Sequence, residues 1–172
     1  MTPGARVAAQ IDILEAILSG VPAEKALTNW SRGNRFAGSK DRAALRDLVF
    51  QALRCRRSAG AWPAPQSARA WAIGTLRANG EDPNEFFTGI AHAPAALCAD
   101  DVTPLPSDRD RLDLQDWVID LLTQQYGAEQ TAKIGAVLRH RAPITLRVNL
   151  QKTTRAQLQA ELAKAEIETT PN

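Results

Sequence analysis

Ser39-Lys40-Asp41-Arg42-Ala43-Ala44-Leu45-Arg46-Asp47-Leu48-Val49-Phe50-Gln51-Ala52-Leu53-Arg54 decides the fold of this chain. Leu45, Leu48, Val49 and Ala52 recur at spacings of three and four, which predicts a helix with one apolar face. Ser39 stands where an N-cap is needed, and Asp41 in the first turn meets the positive end of the helix dipole. On the helical wheel Arg42, Arg46, Phe50, Arg54 and Arg57 fall on an adjoining face. The helix therefore carries an apolar stripe to bury and a basic stripe, with one aromatic, that stays in water.

Upstream, Arg32-Gly33-Asn34-Arg35-Phe36-Ala37-Gly38 reads as a glycine-punctuated loop with two more arginines. Between Trp30 and Ser58 eight cations face only Asp41 and Asp47, a net charge of +6 in a chain whose net charge is +2. Such a concentration on a near-neutral background points to a polyanionic partner. Arginine presents a planar fork of donors that matches phosphate oxygens. Arg32, Arg35, Lys40, Arg42, Arg46, Arg54 and Arg57 are the expected RNA-contacting residues. The plainer alternative is a solvated helix face with charge pairs, and the scarcity of carboxylates in the stretch weighs against it.

Other helices are expected on both sides. Thr2-Pro3 starts one with a cap and a first-turn proline, Val7, Ile11, Leu14 and Leu18 give it a seam, and Gly20 ends it. Pro22 opens a second through Ala26, Leu27 and Trp30. Trp62-Pro63-Ala64-Pro65 breaks the chain. Ser67 then caps a helix with Trp71, Ala72, Thr75 and Leu76 inward, ended by Asn79-Gly80. Asp82-Pro83-Asn84-Glu85 starts a short one that carries Phe86 and Phe87, and residues 93–107 read as an irregular connection. The acidic run from Asp100 to Asp120 suits helix capping and solubility better than metal binding, with Asp113 as cap and Asp116 in a first turn. Leu114, Trp117, Val118, Leu121 and Leu122 pack along that helix, Gly127 ends it, and a further helix follows with Ile134, Val137 and Leu138 inward.

At Ala142-Pro143 the period changes from helical to two. Ile144, Leu146, Val148 and Leu150 alternate with polar residues, which predicts a half-buried strand. Thr154 caps a helix over about 155–164, and Ile167 begins a second expected strand. A lone strand–helix unit cannot bury its own face, so the chain is expected to end inside a second domain.

The remaining composition narrows the chemistry. No apolar run approaches the ~20 residues of a membrane span, and no apolar signal core begins the chain, so the expected location is cytoplasmic. Cys55 and Cys98 lie far apart, and His92 and His140 have no metal-ligand spacing. Arg56 and Arg57 beside Cys55 would favour a thiolate, but a small packing residue at a helix end is the better reading. No phosphate-binding glycine loop is present, and no catalytic, cofactor-binding or metal-binding residue is assigned.

Asp41-Arg42-Ala43-Ala44-Leu45-Arg46-Asp47-Leu48-Val49-Phe50-Gln51-Ala52-Leu53-Arg54 resembles the central helix of NusB-like RNA-binding domains, in the version fused to Sun/RsmB-type rRNA cytosine-C5 methyltransferases. Ala142-Pro143-Ile144-Thr145-Leu146-Arg147-Val148-Asn149 is similar to the Pro-x-x-Leu-Arg-Val-Asn entry into the small α/β subdomain that precedes their catalytic core. The chain departs from that pattern at Phe50-Gln51, where the family often has Tyr-Gly, and at Arg139 and Ala142-Pro143, where it often has Asn and a double Pro. The resemblance implies an all-α NusB-like helical bundle over residues 1–141 and the start of a small α/β subdomain over 142–172. It implies an RNA-binding region that orients structured RNA, rRNA in particular, for a methyltransferase core C-terminal to this chain. That core would use S-adenosylmethionine, whose loop has no counterpart here, as the family's two active-site cysteines have none. No cofactor, metal or membrane partner is expected for the segment itself. A free-standing NusB-like antitermination factor and a helical protein-interaction module are the alternatives.

Overall fold

α1 (Pro3–Leu18) is the helix on which α2 (Ala23–Gly33), α3 (Ser39–Arg54) and α4 (Ala68–Ala78) pack. The computed structural model describes residues 1–63, 65 and 67–170, so Ala64 in the expected Trp62–Pro65 break and the last two residues after Ile167 lie outside the described residues. Thr2 caps α1 as its sequence predicts, Oγ1 accepting the Ala5 N–H at 3.2 Å. The helix is buried on two sides. Val7 and Leu14 join Ala52, Trp71, Ile73, Leu76 and Phe87 in one core cluster, and Ala9 and Ile13 join Ala26, Leu27, Leu45 and Val49 in the other. Between the two, buried Gln10 donates its side-chain amide to the Leu48 carbonyl at 3.1 Å, so the one polar group of the seam is satisfied.

The helices expected from the sequence form, with shifts of register. α2 continues through Arg32 and Gly33, which leaves a connection of only residues 34–38 before α3. Gly38 occupies the N-cap position of α3 and Ser39 is its first helical residue. Leu45, Val49 and Ala52 carry the buried seam, whereas Leu48 is half-buried. Leu18 at the end of α1 is exposed. Ser67 caps α4, and the Trp71 indole donates to the Ala52 carbonyl at 3.1 Å, tying α4 to α3. α4 also lies close against the chain that follows α3: a Cβ on Gly74 would lie 1.9 Å from the Ala59 carbonyl oxygen. Asp82 starts a single 3-10 turn, and Phe87 just beyond it enters the core.

α5 (Asp116–Leu138) is broken at Gly127, whose φ of 78° and ψ of 164° leave the helical region, so the two helices read from the sequence meet there. Its N-cap position is Gln115, not Asp113. Trp117, Leu121 and Tyr126 on it are exposed.

The chain divides into two units, Met1–His140 and Arg141–Asn172. The first is an all-α bundle. In the second, Thr154 and Gln157 form a reciprocal capping box at the start of α6 (Arg155–Lys164). The two expected strands do not form, and no strand occurs among the described residues. A strand needs a neighbour to take its backbone N–H and C=O groups. Without one, Ile144, Leu146 and Leu150 stay more than two-thirds exposed. Ile167 is used otherwise. Glu166 turns left-handed at φ 59°, and the Ile167 N–H donates back to the Leu162 carbonyl at 2.9 Å, closing α6 with a Schellman turn.

Candidate nucleic-acid interface

Glu24, Leu27, Thr28, Ser31 and Arg32 recur along one face of α2, and Arg42, Ala43 and Arg46 line the facing side of α3. Between them lies an open cleft of about 810 Å³, and Arg35, from the short connection, joins its lining. Four of the seven expected contact residues, Arg32, Arg35, Arg42 and Arg46, thus line one concavity. Leu27 also packs into the core beside Leu45 and Val49, so the cleft rests on the buried seam. The sequence predicts the α3 wall. It does not single out Glu24, Thr28 and Ser31, although their i, i+4, i+7 spacing with Arg32 is a legible polar face.

The four guanidinium groups are not equivalent. Arg46 pairs with Glu24 at 2.5 Å and lies 6.0 Å from the centre of the Phe50 ring. Both partners of that pair are more than half exposed, so it is a weak solvated bridge. Arg32, Arg35 and Arg42 are exposed, and among the described residues no hydrogen bond or ion pair engages their guanidinium groups. Lys40 is exposed in the first turn of α3 and lies outside the cleft lining. Neutralising Asp41 falls to other groups. The Met1 ammonium at 3.0 Å and the Arg6 fork hold its carboxyl below the usual range.

Arg54 and Arg57 are brought elsewhere. Arg54 is half-buried, donating to the Arg139 carbonyl and to Gln51. The Arg57 side chain is only 10% exposed and is committed to Asp110 at 2.9 Å and Asp116 at 3.0 Å. Its partial burial is outweighed by those two carboxylates, which hold the guanidinium above its ordinary range. Asp113, at φ 53°, accepts the Arg57 and Ser58 backbone N–H groups at 3.0 and 2.8 Å, accepts the Ser58 hydroxyl at 2.7 Å, and pairs with Arg139 at 3.0 Å. Burial pushes its carboxyl up against these contacts. The acidic run therefore serves as the receptor for the end of α3, a role beyond capping and solubility.

The two thiols sit in different surroundings. Cys55 is fully buried, and burial raises its pKa despite Arg139 at 3.7 Å. Cys98 is exposed. Among the described residues no group of His, Cys, Asp and Glu is placed to hold a metal ion, and no helix is long and apolar enough to cross a membrane.

Residues 114–172, from just before α5 onward, match the family model described as methyltransferase RsmF/B-like, ferredoxin-like domain. The matched segment contains the Pro-x-x-Leu-Arg-Val-Asn stretch and begins well upstream of it. No curated protein and no solved structure matches the chain.

Proposed function

We propose, from the premise that residues 114–172 belong to the ferredoxin-like domain family of RsmF/B-like methyltransferases, that the chain is the RNA-binding N-terminal region of an rRNA cytosine-C5 methyltransferase. In this reading the helical bundle binds and orients structured rRNA for an S-adenosylmethionine-dependent methyltransferase core. The observation that supports it is the gathering of Arg32, Arg35, Arg42 and Arg46 around one cleft, three of them without an intrachain partner among the described residues. Forked donors around a concavity suit a phosphate backbone, and each phosphate neutralised releases counterions. Contacts of this kind position the RNA, while base selection falls to other groups.

The residues of the cleft do not fit S-adenosylmethionine. Its sulfonium is a cation, and the lining holds four guanidinium groups against one carboxylate. No step of methyl transfer is therefore assigned to this segment.

The test is fluorescence anisotropy on an rRNA fragment across a salt series, comparing the parent with Arg32→Ala/Arg35→Ala/Arg42→Ala. The triple variant is expected to stay helical, since all three side chains are exposed, and to lose affinity. The slope of log affinity against log salt should become shallower by about 2 to 3, at roughly 0.7–0.9 for each phosphate neutralised. Unchanged affinity and slope in the folded variant refute the reading.

A further inference from the structure

Phe36 is 74% exposed, yet the turn that carries it is held at both ends. The Ala37 N–H closes the turn onto the Asn34 carbonyl at 3.1 Å, and Ala37 itself is buried. Asn34 is anchored twice to the Trp30 carbonyl, through its backbone N–H at 3.0 Å and its side-chain amide at 2.9 Å. Arg35 and Phe36 are therefore the tip of a fixed turn. Arg35 enters the cleft lining, and its neighbour Phe36 stands beside the cleft in water. The Phe36 ring meets Trp30 edge-on, with centroids 6.4 Å apart and planes at 74°. A T-shaped contact orients the ring and covers at most one of its faces, and the ring is mostly in water. Trp30 in turn packs against the core cluster of Leu27, Leu45 and Val49.

A single exposed aromatic is ordinary on a protein surface. An aromatic on an anchored turn, next to an unpaired arginine in the lining of a cationic cleft, has the two parts of a single-strand site: an electrostatic track for the backbone and a platform for a base. A base within a duplex is stacked on both faces and cannot reach such a platform. Resting on the RNA-binding reading of the cleft, we infer that this site takes an unpaired nucleotide of the RNA, its flanking phosphates held by Arg32, Arg35 and Arg42 and its base stacked on Phe36. The bound element is then a loop, bulge or single-stranded end of the structured RNA. Stacking tolerates any base, so the site selects unpairedness rather than sequence.

The experiment measures binding of the parent, Phe36→Ala, Phe36→Trp and the triple arginine variant to a short single-stranded RNA and to the fully paired duplex of the same sequence. Phe36→Ala should bind the single strand about tenfold more weakly, with its salt slope unchanged, and bind the duplex as the parent does. Phe36→Trp should bind the single strand at least as well as the parent. Phe36 is too exposed for its loss to unfold the bundle, which circular dichroism checks. If Phe36→Ala loses nothing on the single strand, or loses equally on both, stacking is overturned. If the triple arginine variant alone is weakened, the cleft reading survives without the platform. If neither changes, the cleft reading falls as well.

Discussion

Glu24 is the single carboxylate in the lining of the α2/α3 cleft, and replacing it should strengthen RNA binding. In the free protein it pairs with Arg46 at 2.5 Å. The Arg46 and Glu24 side chains are 58% and 62% exposed, so that bridge contributes about 0–1 kcal/mol to stability and Glu24→Gln should leave the fold intact. The change removes one negative charge from the cleft and frees one guanidinium. If Arg46 then engages a phosphate, the slope of log affinity against log salt steepens by about 0.7–0.9. Between about 50 and about 200 mM salt this is roughly a further threefold loss of affinity, visible as a tightening about threefold larger at the low-salt end. Arg42→Ala/Arg46→Ala should move the other way. Removing Arg42, the one of the two without a carboxylate partner in the parent, makes the slope shallower by about 0.7–0.9, so affinity falls roughly threefold less over the same salt interval. Filter binding or anisotropy on one rRNA fragment, with all variants at matched protein stability, reads both signs. If Glu24→Gln and the double arginine variant shift the slope in the same direction, or neither shifts it, the cleft is a solvated surface and an acidic protein partner becomes the better reading.

Two further outcomes concern the scaffold. Asp113→Ala should destabilise the bundle by about 3–5 kcal/mol in urea unfolding, because it leaves Arg139 and two backbone N–H groups without their acceptor; a loss under about 1 kcal/mol would show that water replaces the carboxylate. On acidification, stability should fall from about pH 4 downward, since Asp41, Asp101, Asp110 and Asp116 all have depressed pKa values when folded, and a depressed carboxylate gives stability that is lost as pH drops through its folded value. Asp12 and Asp113 are raised and act in the opposite sense, their contribution lost as pH rises. The Arg69 fork is the largest cause of the Asp101 shift, so Arg69→Ala should flatten the acid limb, and an unchanged limb would contradict that assignment.

Local signals are legible in the sequence wherever local contacts decide the structure. Thr2, Ser67 and Thr154 cap helices as read, because a cap bonds to a backbone N–H two or three residues away. Gly20 and Gly80 end α1 and α4 at φ 95° and 79°, which a glycine adopts without strain. The alternation from Ile144 to Leu150 is equally plain, but a strand is a relation between two segments, and no partner lies beside it among the described residues. Asp113 departs from its expected role for a similar reason. Its place before an apolar run reads as a cap, whereas its carboxylate is taken by Ser58, 55 residues earlier in the chain.

Charge is the least transparent signal, and the reason lies in how a basic stretch folds. Counting carboxylates near Arg42–Arg57 in sequence suggests that the cations lack partners. The partners come from afar: Glu24 reaches Arg46 from α2, and Asp110 and Asp116 reach Arg57 from beyond residue 100. This stretch therefore commits its C-terminal cations to intramolecular structure and keeps its N-terminal ones in water. The division follows burial. Arg57 lies where the chain leaves α3 and turns back against Asp113, so an unpaired charge there would be expensive. Arg42, in the first turns of α3, faces the open side of α2, where the charge stays solvated and a partner is optional. An arginine in this stretch is thus more available to an external polyanion the further it lies from the α3 C-terminus. That ordering can be tested directly: Arg42→Ala should alter RNA affinity and spare stability, and Arg57→Ala should do the reverse.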